Sequence, residues 1–357
     1  MSGEQAAGAA PGSPADIELL DSMLRLMAGL RTEVGRVIVG QQDVVDQLLM
    51  TLLVGGHAIL EGVPGLAKTL LVNTISEALS LDFGRIQFTP DLMPTDVTGT
   101  LIFNEKAGGA VRDFVFRKGP VFTNLLLADE INRTPPKTQA ALLEGMSEGQ
   151  VSVGGRAHPL PKPFCVMATQ NPLEQEGTYP LPEAQLDRFL MKICIDYPEF
   201  LEEEEIIDRT TGDVEQEVAA VLDREVILSL QAILPALPVT EHVQAYATRI
   251  GRMSRPEGES APGWVKEYIS WGVGPRAAQA LIRSAKAHTL LAGRFSVTRA
   301  DVRAVALPVL RHRLVPSFHA EAEGLGPDDI VAMLLDDVPT FNPRNEYDEV
   351  SRRILRL

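Results

Sequence analysis

The stretch EGVPGLAKTLLV, residues 61–72, follows a short apolar run and leads into a segment with helical spacing. It matches the phosphate-loop pattern G-x-x-x-x-G-K-[ST], with Gly62 first and Lys68 and Thr69 last, but Ala67 stands where the second glycine is usual. Glycines in such a loop let backbone N–H groups turn toward phosphate oxygens, and Lys68 adds a positive charge. The stretch therefore predicts a nucleotide-binding loop between a strand and a helix.

The alanine at position 67 raises the question of whether the loop still works. The residue before Lys68 lies where the loop enters the helix, so we expect a negative, helix-like φ at Ala67. Alanine is a better helix former than glycine by ~1 kcal/mol, and a helix-like backbone would tolerate it. We therefore expect Ala67 to leave phosphate binding intact.

The composition is that of a globular protein of about two domains, with 357 residues, 45% hydrophobic and 23% charged. The net charge of -15 counts against broad binding to nucleic-acid phosphates. No apolar run reaches the ~18 residues of a membrane span, and no secretion signal is visible, so we expect a cytoplasmic protein. Cys165 and Cys194 lie in apolar runs and are expected to be free thiols in a reducing compartment, and no metal-ligand spacing is present.

Short apolar runs alternate with helical segments between residues 57 and 198. The runs are HAILE, GRIQFT, VFTNLLLADE, PFCVMATQNP and FLMKICIDYP. Continuous apolar strands separated by helices are typical of a parallel sheet that is covered on both faces. Two segments interrupt this alternation, 98–119 around Gly108-Gly109 and 150–163 around Gly154-Gly155, and each is predicted to be a β-hairpin.

The chain is predicted to consist of a tail and two domains. Residues 1–16 are rich in Ala, Gly, Pro and Ser and are expected to be disordered. Residues 17–198 are predicted to form a nucleotide-binding α/β domain that begins with two helices. The strand signals fade after Pro198, so residues 199–357 are predicted to form a helical domain.

Two acids end an apolar strand in LLLADEIN, residues 125–132. The carboxyl ends of parallel strands are where ligands bind in open α/β sheets. Asp129 would hold Mg²⁺, mostly through water, together with the hydroxyl of Thr69. Glu130 would orient and deprotonate an attacking water. On their own these acids could form a solvated turn, and it is the phosphate loop upstream that favours a catalytic site.

Three further polar residues stand at positions that suggest a role. Asn171, in ATQNP, follows another apolar strand and would hold the attacking water or the γ-phosphate, or else form an Asx turn before the proline. Arg188, in EAQLDRF, precedes the fifth strand and is either a surface charge or a finger that enters a neighbour's site. Arg276, in GPRA, begins a helix of the second domain.

Together these motifs resemble those of the AAA+ ATPases, and within them the MoxR family. GVPGLAKT, LLLADEINRTPPKTQAALLEGMSEGQV, ATQNP and LPEAQLDRF are similar to phrases of that family, and the resemblance extends over nearly the whole chain from about Leu20. An alanine before the lysine is a common form of the MoxR loop. The resemblance implies a parallel five-stranded sheet in the order 5-1-4-3-2 and a C-terminal all-helical lid domain. That order would put Cys165 and Cys194 on either side of strand 1, at roughly twice the ~4.8 Å strand spacing, too far for a disulfide.

The resemblance also implies the residues that bind ATP and Mg²⁺. The VGQ at 39–41 looks like the family's adenine-side loop, and Lys68 and Thr69 are the Walker A pair. The expected nucleotide-binding residues are Val39, Gly40, Gly62, Val63, Pro64, Gly65, Leu66, Ala67, Lys68, Thr69 and Leu70, with Thr69 and Asp129 for the metal ion.

The catalytic roles follow from the same resemblance. Glu130 belongs to the Walker B pair, Asn171 is sensor 1, Arg188 is the arginine finger and Arg276 is the sensor 2 arginine. Arg133 is a second candidate for a contact across a subunit interface. The two hairpins look like the helix-2 insert and the pre-sensor-1 insert.

The function that these features favour is ATP hydrolysis in a homo-oligomeric ring, expected to be a hexamer, which remodels partner proteins in a chaperone-like way. Family members often act with proteins that carry a von Willebrand A domain. A nucleic-acid-associated motor is an alternative, although the acidic charge and the lack of an attached DNA-binding module count against it. An ATP-binding scaffold with little turnover is another, against which Glu130, Asn171 and Arg188 argue. A small-molecule kinase is favoured least, since it does not need this set of residues.

Overall fold

The chain alternates between short strands and helices as far as Cys194 and is mostly helical beyond it. The structure is a computed structural model, and it describes residues 14–105, 112–173, 177–211 and 217–339. Within these ranges the strands are β1 (Ala58–Glu61), β2 (Phe83–Gln87), β3 (Gly99–Glu105), β4 (Arg112–Lys118), β5 (Leu125–Asp129), β6 (Gln150–Val153), β7 (Arg156–Pro159), β8 (Cys165–Gln170), β9 (Met191–Cys194), β10 (Ile269–Trp271) and β11 (Val315–Pro316).

The helices surround the strands and make up most of the second half of the chain. They are α1 (Pro14–Val37), α2 (Gln42–Val54), α3 (Lys68–Ala78), α4 (Pro94–Thr98), α5 (Pro136–Glu148), α6 (Glu183–Leu186), α7 (Phe200–Thr210), α8 (Arg224–Ile233), α9 (Glu241–Met253), α10 (Val265–Tyr268), α11 (Pro275–Leu291), α12 (Arg299–Leu310), α13 (Phe318–Ala322) and α14 (Pro327–Asp337). Ile131–Arg133 and Leu234–Ala236 are short 3₁₀ helices.

Five strands form one parallel sheet in the order β2-β5-β8-β1-β9. Numbered one to five along the chain and read from the β9 edge, this order is 5-1-4-3-2, so the predicted topology is confirmed. Cys165 on β8 and Cys194 on β9 lie on either side of β1, and both are free thiols.

Both faces of the sheet are buried because successive side chains of a strand point to opposite faces. In β5, Leu125 and Leu127 pack in one apolar cluster, and Leu126 and Ala128 pack in another. The first cluster continues into the helices of the second half of the chain, and the second contains residues of α5 and the β6–β7 hairpin. The uninterrupted apolar runs in the sequence reflect this two-sided burial.

Both predicted hairpins are present. Strands β3 and β4 pair antiparallel from Gly99↔Lys118 onward, and the residues that join them, 106–111 with Gly108-Gly109, lie outside the described residues. Strands β6 and β7 are joined at Gly154-Gly155, where φ is +60° and +75°. Two consecutive positive φ values are typical of a tight turn that matches the twist of a hairpin.

The ends of the predicted segments need small changes. α1 begins at Pro14, so residues 14–16 are helical and do not belong to the tail, whereas residues 1–13 lie outside the described ranges. Within residues 199–211 and 217–339 the chain is mostly helical as predicted, with one addition, the antiparallel pairing of β10 with β11. The division into domains at residue 198 stays a prediction. No helix in the described ranges is long and apolar enough to span a membrane.

A buried histidine joins the start of β1 to its surroundings. Nδ1 of His57 accepts the N–H of Val166 at 3.0 Å, and Nε2 donates to the carbonyl oxygen of Met146 at 3.2 Å, so the ring is neutral with its proton on Nε2. Burial lowers the pKa of His57 to about 4. Protonation of Nδ1 would remove the acceptor of Val166 and place a charge in the core.

This histidine is expected to make the fold sensitive to acid. Since its folded pKa is about 4 and its unfolded pKa is ~6.5, the unfolded state binds more protons between these values. The stability that the neutral ring contributes is fully present above pH ~6.5 and falls by roughly 3 kcal/mol as pH drops toward 4. The His57→Gln variant should start less stable at neutral pH and lose less of its unfolding free energy across this window.

Urea unfolding between pH 7 and pH 4.5 measures this difference. The matched control is His242→Gln, because His242 is exposed on α9. The control should follow the slope of the wild-type protein. An equally steep loss in His57→Gln would mean that other groups cause the acid sensitivity.

Candidate functional site

The phosphate loop connects β1 to α3 at the carboxyl edge of the sheet. A Cβ on Gly62 would lie 2.7 Å from the carbonyl oxygen of Ile195, so the backbone approach there requires glycine. Gly65 has a φ of +88°, which L-residues rarely adopt. The loop opens on a cavity of about 450 Å³ that is lined by Pro64, Gly65, Leu66, Ala67, Lys68, Thr69, Leu70, Asp129, Glu130, Thr169 and Asn171.

The negative, helix-like φ that we expected at Ala67 is wrong. Ala67 is the N-cap of α3 with φ 53° and ψ 25°, in the left-handed region. Helix propensity does not apply to Ala67, because it describes residues inside a helix and Ala67 lies one position before α3. A non-glycine residue in this region costs roughly 1–2 kcal/mol, which explains why glycine is usual at this position of the loop.

Lys68 is held inside the curve of the loop. Its Nζ donates to the carbonyl oxygens of Gly62 and Val63, the second at 3.3 Å. Burial lowers the pKa of Lys68, and the nearby carboxylates of Asp129 and Glu130 oppose that change. A phosphate in the cavity would meet an ammonium group that is already partly desolvated and therefore interacts more strongly with it.

Both predicted acids stand at the end of β5, and one hydroxyl from β8 fixes them. Thr169 Oγ1 donates to Oδ1 of Asp129 at 2.6 Å and accepts the backbone N–H of Glu130 at 2.8 Å. Glu130 itself has φ +56°, so the chain turns sharply straight after the strand. Thr169 thus orients the side chain of the first acid and the backbone of the second.

The edge strand β2 supplies further partners that the sequence interpretation missed. Arg85 Nη2 lies 2.6 Å from Oδ2 of Asp129, and Gln87 Nε2 donates to Oε2 of Glu130 at 2.8 Å. Arg133 Nε is 3.1 Å from the same Glu130 oxygen, a contact within its own chain. The alternation in RIQ, residues 85–87, with Ile86 buried between two exposed polar residues, is the sequence signal that could have identified these two positions.

Asn171 forms the Asx turn and also lies at the phosphate cavity, while its contact with water or the γ-phosphate stays a prediction. Its Oδ1 accepts the backbone N–H of Leu173 at 3.1 Å, which is the contact of an Asx turn. The residue is also buried and lines the phosphate cavity together with Glu130. The turn therefore holds the Asn171 side chain at the site.

The oxygen groups in this cavity fit a magnesium ion that accompanies a nucleotide. Magnesium in such sites is held by one or two carboxylates together with phosphates and water. Thr69 offers a hydroxyl and Asp129 a carboxylate, and both line the cavity. Arg85 and Thr169 now contact the oxygens of Asp129, so the metal ion would compete with Arg85 for that carboxylate.

Val39 and Gly40 are not among the residues that line the phosphate cavity. Val39 is buried. Gly40 has φ +63° and packs so closely on α7 that an added Cβ would lie 2.1 Å from Oε1 of Glu202. Their contact with an adenine base stays a prediction.

Arg188 and Arg276 lie away from the phosphate loop of their own chain. Arg188 Nη1 donates to the carbonyl oxygen of Leu143 at 2.8 Å and to Oγ of Ser147 at 2.5 Å, both near the end of α5. Arg276 is in the first turn of α11, with Nη1 3.5 Å from Oδ2 of Asp187. Both arginines line a second cavity, of about 330 Å³.

The two cavities are at opposite ends of the parallel strands. The phosphate cavity is at their carboxyl ends, which form one edge of the sheet, and the second cavity is at their amino ends, which form the opposite edge. The second is lined by residues 55–57, which precede β1, whereas the phosphate loop follows β1. Four strand residues at ~3.3 Å each span ~13 Å. Of the four residues expected to act in catalysis, the structure brings Glu130 and Asn171 to the phosphate loop and leaves Arg188 and Arg276 at the other edge.

The left-handed backbone of Ala67 changes what its replacement should do. Ala67→Gly removes the steric cost of a Cβ at positive φ and should raise the free energy of unfolding by ~1 kcal/mol. ATP affinity, measured by calorimetric titration, should stay within a few-fold, because the loop has the same backbone before and after the change. Ser80→Gly is a control outside the site, since Ser80 also has a positive φ, of 47°. A lower unfolding free energy in Ala67→Gly than in the wild-type protein would contradict this explanation.

Comparisons with known proteins agree with this site. The family model described as the ATPase family associated with various cellular activities (AAA) matches residues 57–191, and the model of the AAA lid domain matches residues 263–334. A crystal structure of an ATPase candidate from Cytophaga hutchinsonii is similar with a TM-score of 0.85 and 41% identity, over 91% of this chain and 98% of that one. A full-length MCM homolog from Methanopyrus kandleri, with a TM-score of 0.53 and 20% identity, shares the fold alone.

Curated relatives are similar over most of the chain. Chaperone MoxR1 of Mycobacterium tuberculosis is 44% identical over 331 residues, which are 93% of this chain and 85% of that protein. The uncharacterized protein YeaC of Bacillus subtilis is 41% identical over 306 residues, 85% of this chain and 92% of the other. With the phosphate loop, the acid pair and the sheet order in place, these similarities show that the chain belongs to the MoxR family of AAA+ ATPases.

Proposed function

We propose that the chain hydrolyses ATP in a ring of identical subunits, six in number, and uses the hydrolysis to remodel partner proteins, among them one with a von Willebrand A domain. The observation that carries the proposal is the convergence of Lys68, Asp129, Glu130 and Asn171 on one cavity. Three different strands deliver these residues to the same edge of the sheet.

Each residue has a chemical task in this proposal. The loop amides and Lys68 bind the β- and γ-phosphates, and Thr69 and Asp129 hold the magnesium ion, which would neutralise phosphate charge. Glu130 accepts the proton of the attacking water, and Asn171 holds that water or the γ-phosphate. Thr169 holds the Asp129 side chain and the Glu130 backbone in position through its two hydrogen bonds.

The separation of the two cavities supports action between subunits. Arg188 and Arg276 are at the edge of the sheet opposite to their own phosphate loop, so they would reach a triphosphate only in a neighbouring copy. Contact between two different edges of identical chains is heterologous, and such contacts close into rings when the rotation permits. A site that takes its arginines from the next subunit would be incomplete in the monomer.

The β3–β4 hairpin supports a role with partner proteins. It exposes apolar side chains on both strands, namely Leu101, Ile102, Phe103, Phe114 and Val115, and the rings of Phe103 and Phe114 pack edge to face at 5.8 Å. Contiguous exposed apolar residues often mark protein interaction sites. The name of the relative Chaperone MoxR1 points to the same kind of activity, and the von Willebrand A partner rests on the family resemblance.

An alternative is a protein that binds ATP with little turnover. The resting contacts of Glu130 with Gln87 and Arg133 favour this reading, because they occupy the carboxylate that would act as the base. Turnover of the wild-type ring in the presence of its partner distinguishes the two functions.

Glu130→Gln tests the catalytic role of the acid. The amide keeps the shape and the contact with Thr169 through the backbone but cannot take a proton, so Mg²⁺-ATP should still bind while turnover falls by ~10²-fold or more. Glu144→Gln, an exposed acid on α5, is the control and should retain turnover. In a pull-down with ATP, the Glu130→Gln ring should retain a von Willebrand A domain protein that Lys68→Ala does not. Turnover of Glu130→Gln within a few-fold of wild type would remove Glu130 from this role.

Mixing of variants tests the action of Arg188 between subunits. Arg188→Ala alone should bind ATP and fail to hydrolyse it, and Lys68→Ala alone should fail to bind it. In mixed rings the Lys68→Ala subunits present an intact Arg188 to the intact loops of Arg188→Ala, so hydrolysis should recover at those interfaces. Mass spectrometry confirms that mixed rings form. Absence of recovery in confirmed mixed rings would exclude action of Arg188 in a neighbour's site.

A further inference from the structure

The cavity at the second edge of the sheet has an unusual balance of charge. Among the described residues that line it, four are arginines (Arg188, Arg276, Arg283 and Arg313), and Asp187 is the single acid. Asp187 is the C-cap of α6 and directly precedes Arg188 in the chain. Asp187 is therefore next in sequence to one of the two arginines that the proposed function assigns to a neighbour's nucleotide, and its carboxylate contacts the other, Arg276.

Asp187 fastens the lid to the segment that carries Arg188. Its Oδ1 accepts from Nε of Arg313 at 2.8 Å, and the side chain of Arg313 is only 4% exposed. The same guanidinium donates to the carbonyl oxygens of Phe189 and Leu190, the second at 3.0 Å. Arg313 thus donates hydrogen bonds to residues on both sides of Arg188. Asp187 is the charged partner that compensates the burial of the Arg313 guanidinium.

The other oxygen of Asp187 faces the second arginine. Oδ2 lies 3.5 Å from Nη1 of Arg276, whose side chain is 70% exposed and extends from the first turn of α11. Because the buried Arg313 holds Oδ1 of Asp187, the position of Oδ2 and its negative charge is fixed in front of Arg276. Such a fixed charge restricts an exposed, rotamer-rich side chain to orientations near it, which lowers the entropy lost when the arginine meets a phosphate.

We propose that Asp187 is a positioning residue for hydrolysis in the adjacent subunit: it orients Arg276 and fixes the backbone that presents Arg188, while touching no nucleotide itself. This inference rests on the proposed ring in which Arg188 and Arg276 act on a neighbour's ATP. It adds that Arg188 and Arg276, which lie on either side of residue 198 in the chain, act together. The Asp187 carboxylate contacts Arg276 directly, and through Arg313 it holds the backbone next to Arg188.

Asp187→Asn tests this role. The variant should bind Mg²⁺-ATP with wild-type affinity, since its own phosphate loop is at the other edge of the sheet. Its turnover should fall by ~10-fold to 100-fold, because a displacement of ~1 Å in a catalytic group can cost ~100-fold. The loss should lie in kcat with little change in KM. Asp46→Asn is the matched control, because Asp46 pairs with Arg31 and its side chain is 27% exposed against 29% for Asp187.

A mixing experiment separates positioning from damage to the fold. Lys68→Ala subunits carry intact Asp187, Arg188 and Arg276, so mixed rings with Asp187→Asn should recover hydrolysis at shared interfaces. A purely structural defect in Asp187→Asn subunits would not be repaired by the neighbour. If the unpaired Arg313 prevents folding, the double variant Asp187→Asn/Arg313→Gln, which removes both charges, takes its place and should show the same loss and the same recovery.

The outcomes are distinct from those that test the ring itself. Turnover of Asp187→Asn within ~2-fold of wild type and of Asp46→Asn would overturn the inference. The inference would also be overturned if mixing with Lys68→Ala restored hydrolysis to Arg188→Ala but not to Asp187→Asn. The ring proposal would stand in that case. Failure of both mixtures would overturn the ring proposal and the inference together.

Discussion

The site depends on one constraint, the parallel direction of five strands that are buried on both faces. Because the strands run the same way, the loop after β1, the acids after β5 and the polar residues at the end of β8 all emerge at one edge. Because both faces are covered, this edge is one of the few places where polar side chains can leave the sheet. The opposite edge collects the residues that precede the strands, and there the arginines lie.

Backbone strain is concentrated where the chain turns around the phosphate cavity. Among the described residues, four that are not glycine have positive φ, and two of these, Ala67 and Glu130, line the cavity. Each such conformation costs of order 1–3 kcal/mol and persists only if its surroundings enforce it. For Glu130 the enforcing contact is the hydrogen bond of its N–H to Thr169, and for Ala67 it is the start of α3, where Leu71 N–H donates to the carbonyl oxygen of Ala67 at 2.9 Å. These contacts therefore fix the direction of Glu130 and of the loop amides.

In the proposed ring, the two ends of the parallel strands would supply different parts of each nucleotide site. One edge supplies the phosphate loop, the acids and Asn171, and the other supplies positive charge supported by the lid through Asp187 and Arg313. In that ring, each subunit would complete its neighbour's site, and the next subunit would complete its own. ATP binding and the position of the lid would then be coupled around the ring, because Arg313 of the lid donates hydrogen bonds to Asp187 and Phe189 on either side of Arg188.

The sequence by itself determined the sheet, its strand order through the family resemblance, both hairpins, and the residues of the phosphate loop and the acid pair. Apart from the strand order, these follow from local signals: apolar runs of strand length, glycines at the turns, the spacing from Gly62 to Lys68, and the two adjacent acids at the end of a strand. The tertiary structure alone decided the rest. The left-handed φ of Ala67, the bridge from Thr169 to Asp129 and Glu130, the contacts of Arg85 and Gln87, and the joining of Arg276 and Arg313 at Asp187 all depend on residues that are far apart in the chain or on the exact path of a turn. Alternation in the sequence can mark Arg85 and Gln87 as exposed positions, but it does not encode their partners, because such contacts arise only when separate strands and the lid pack together.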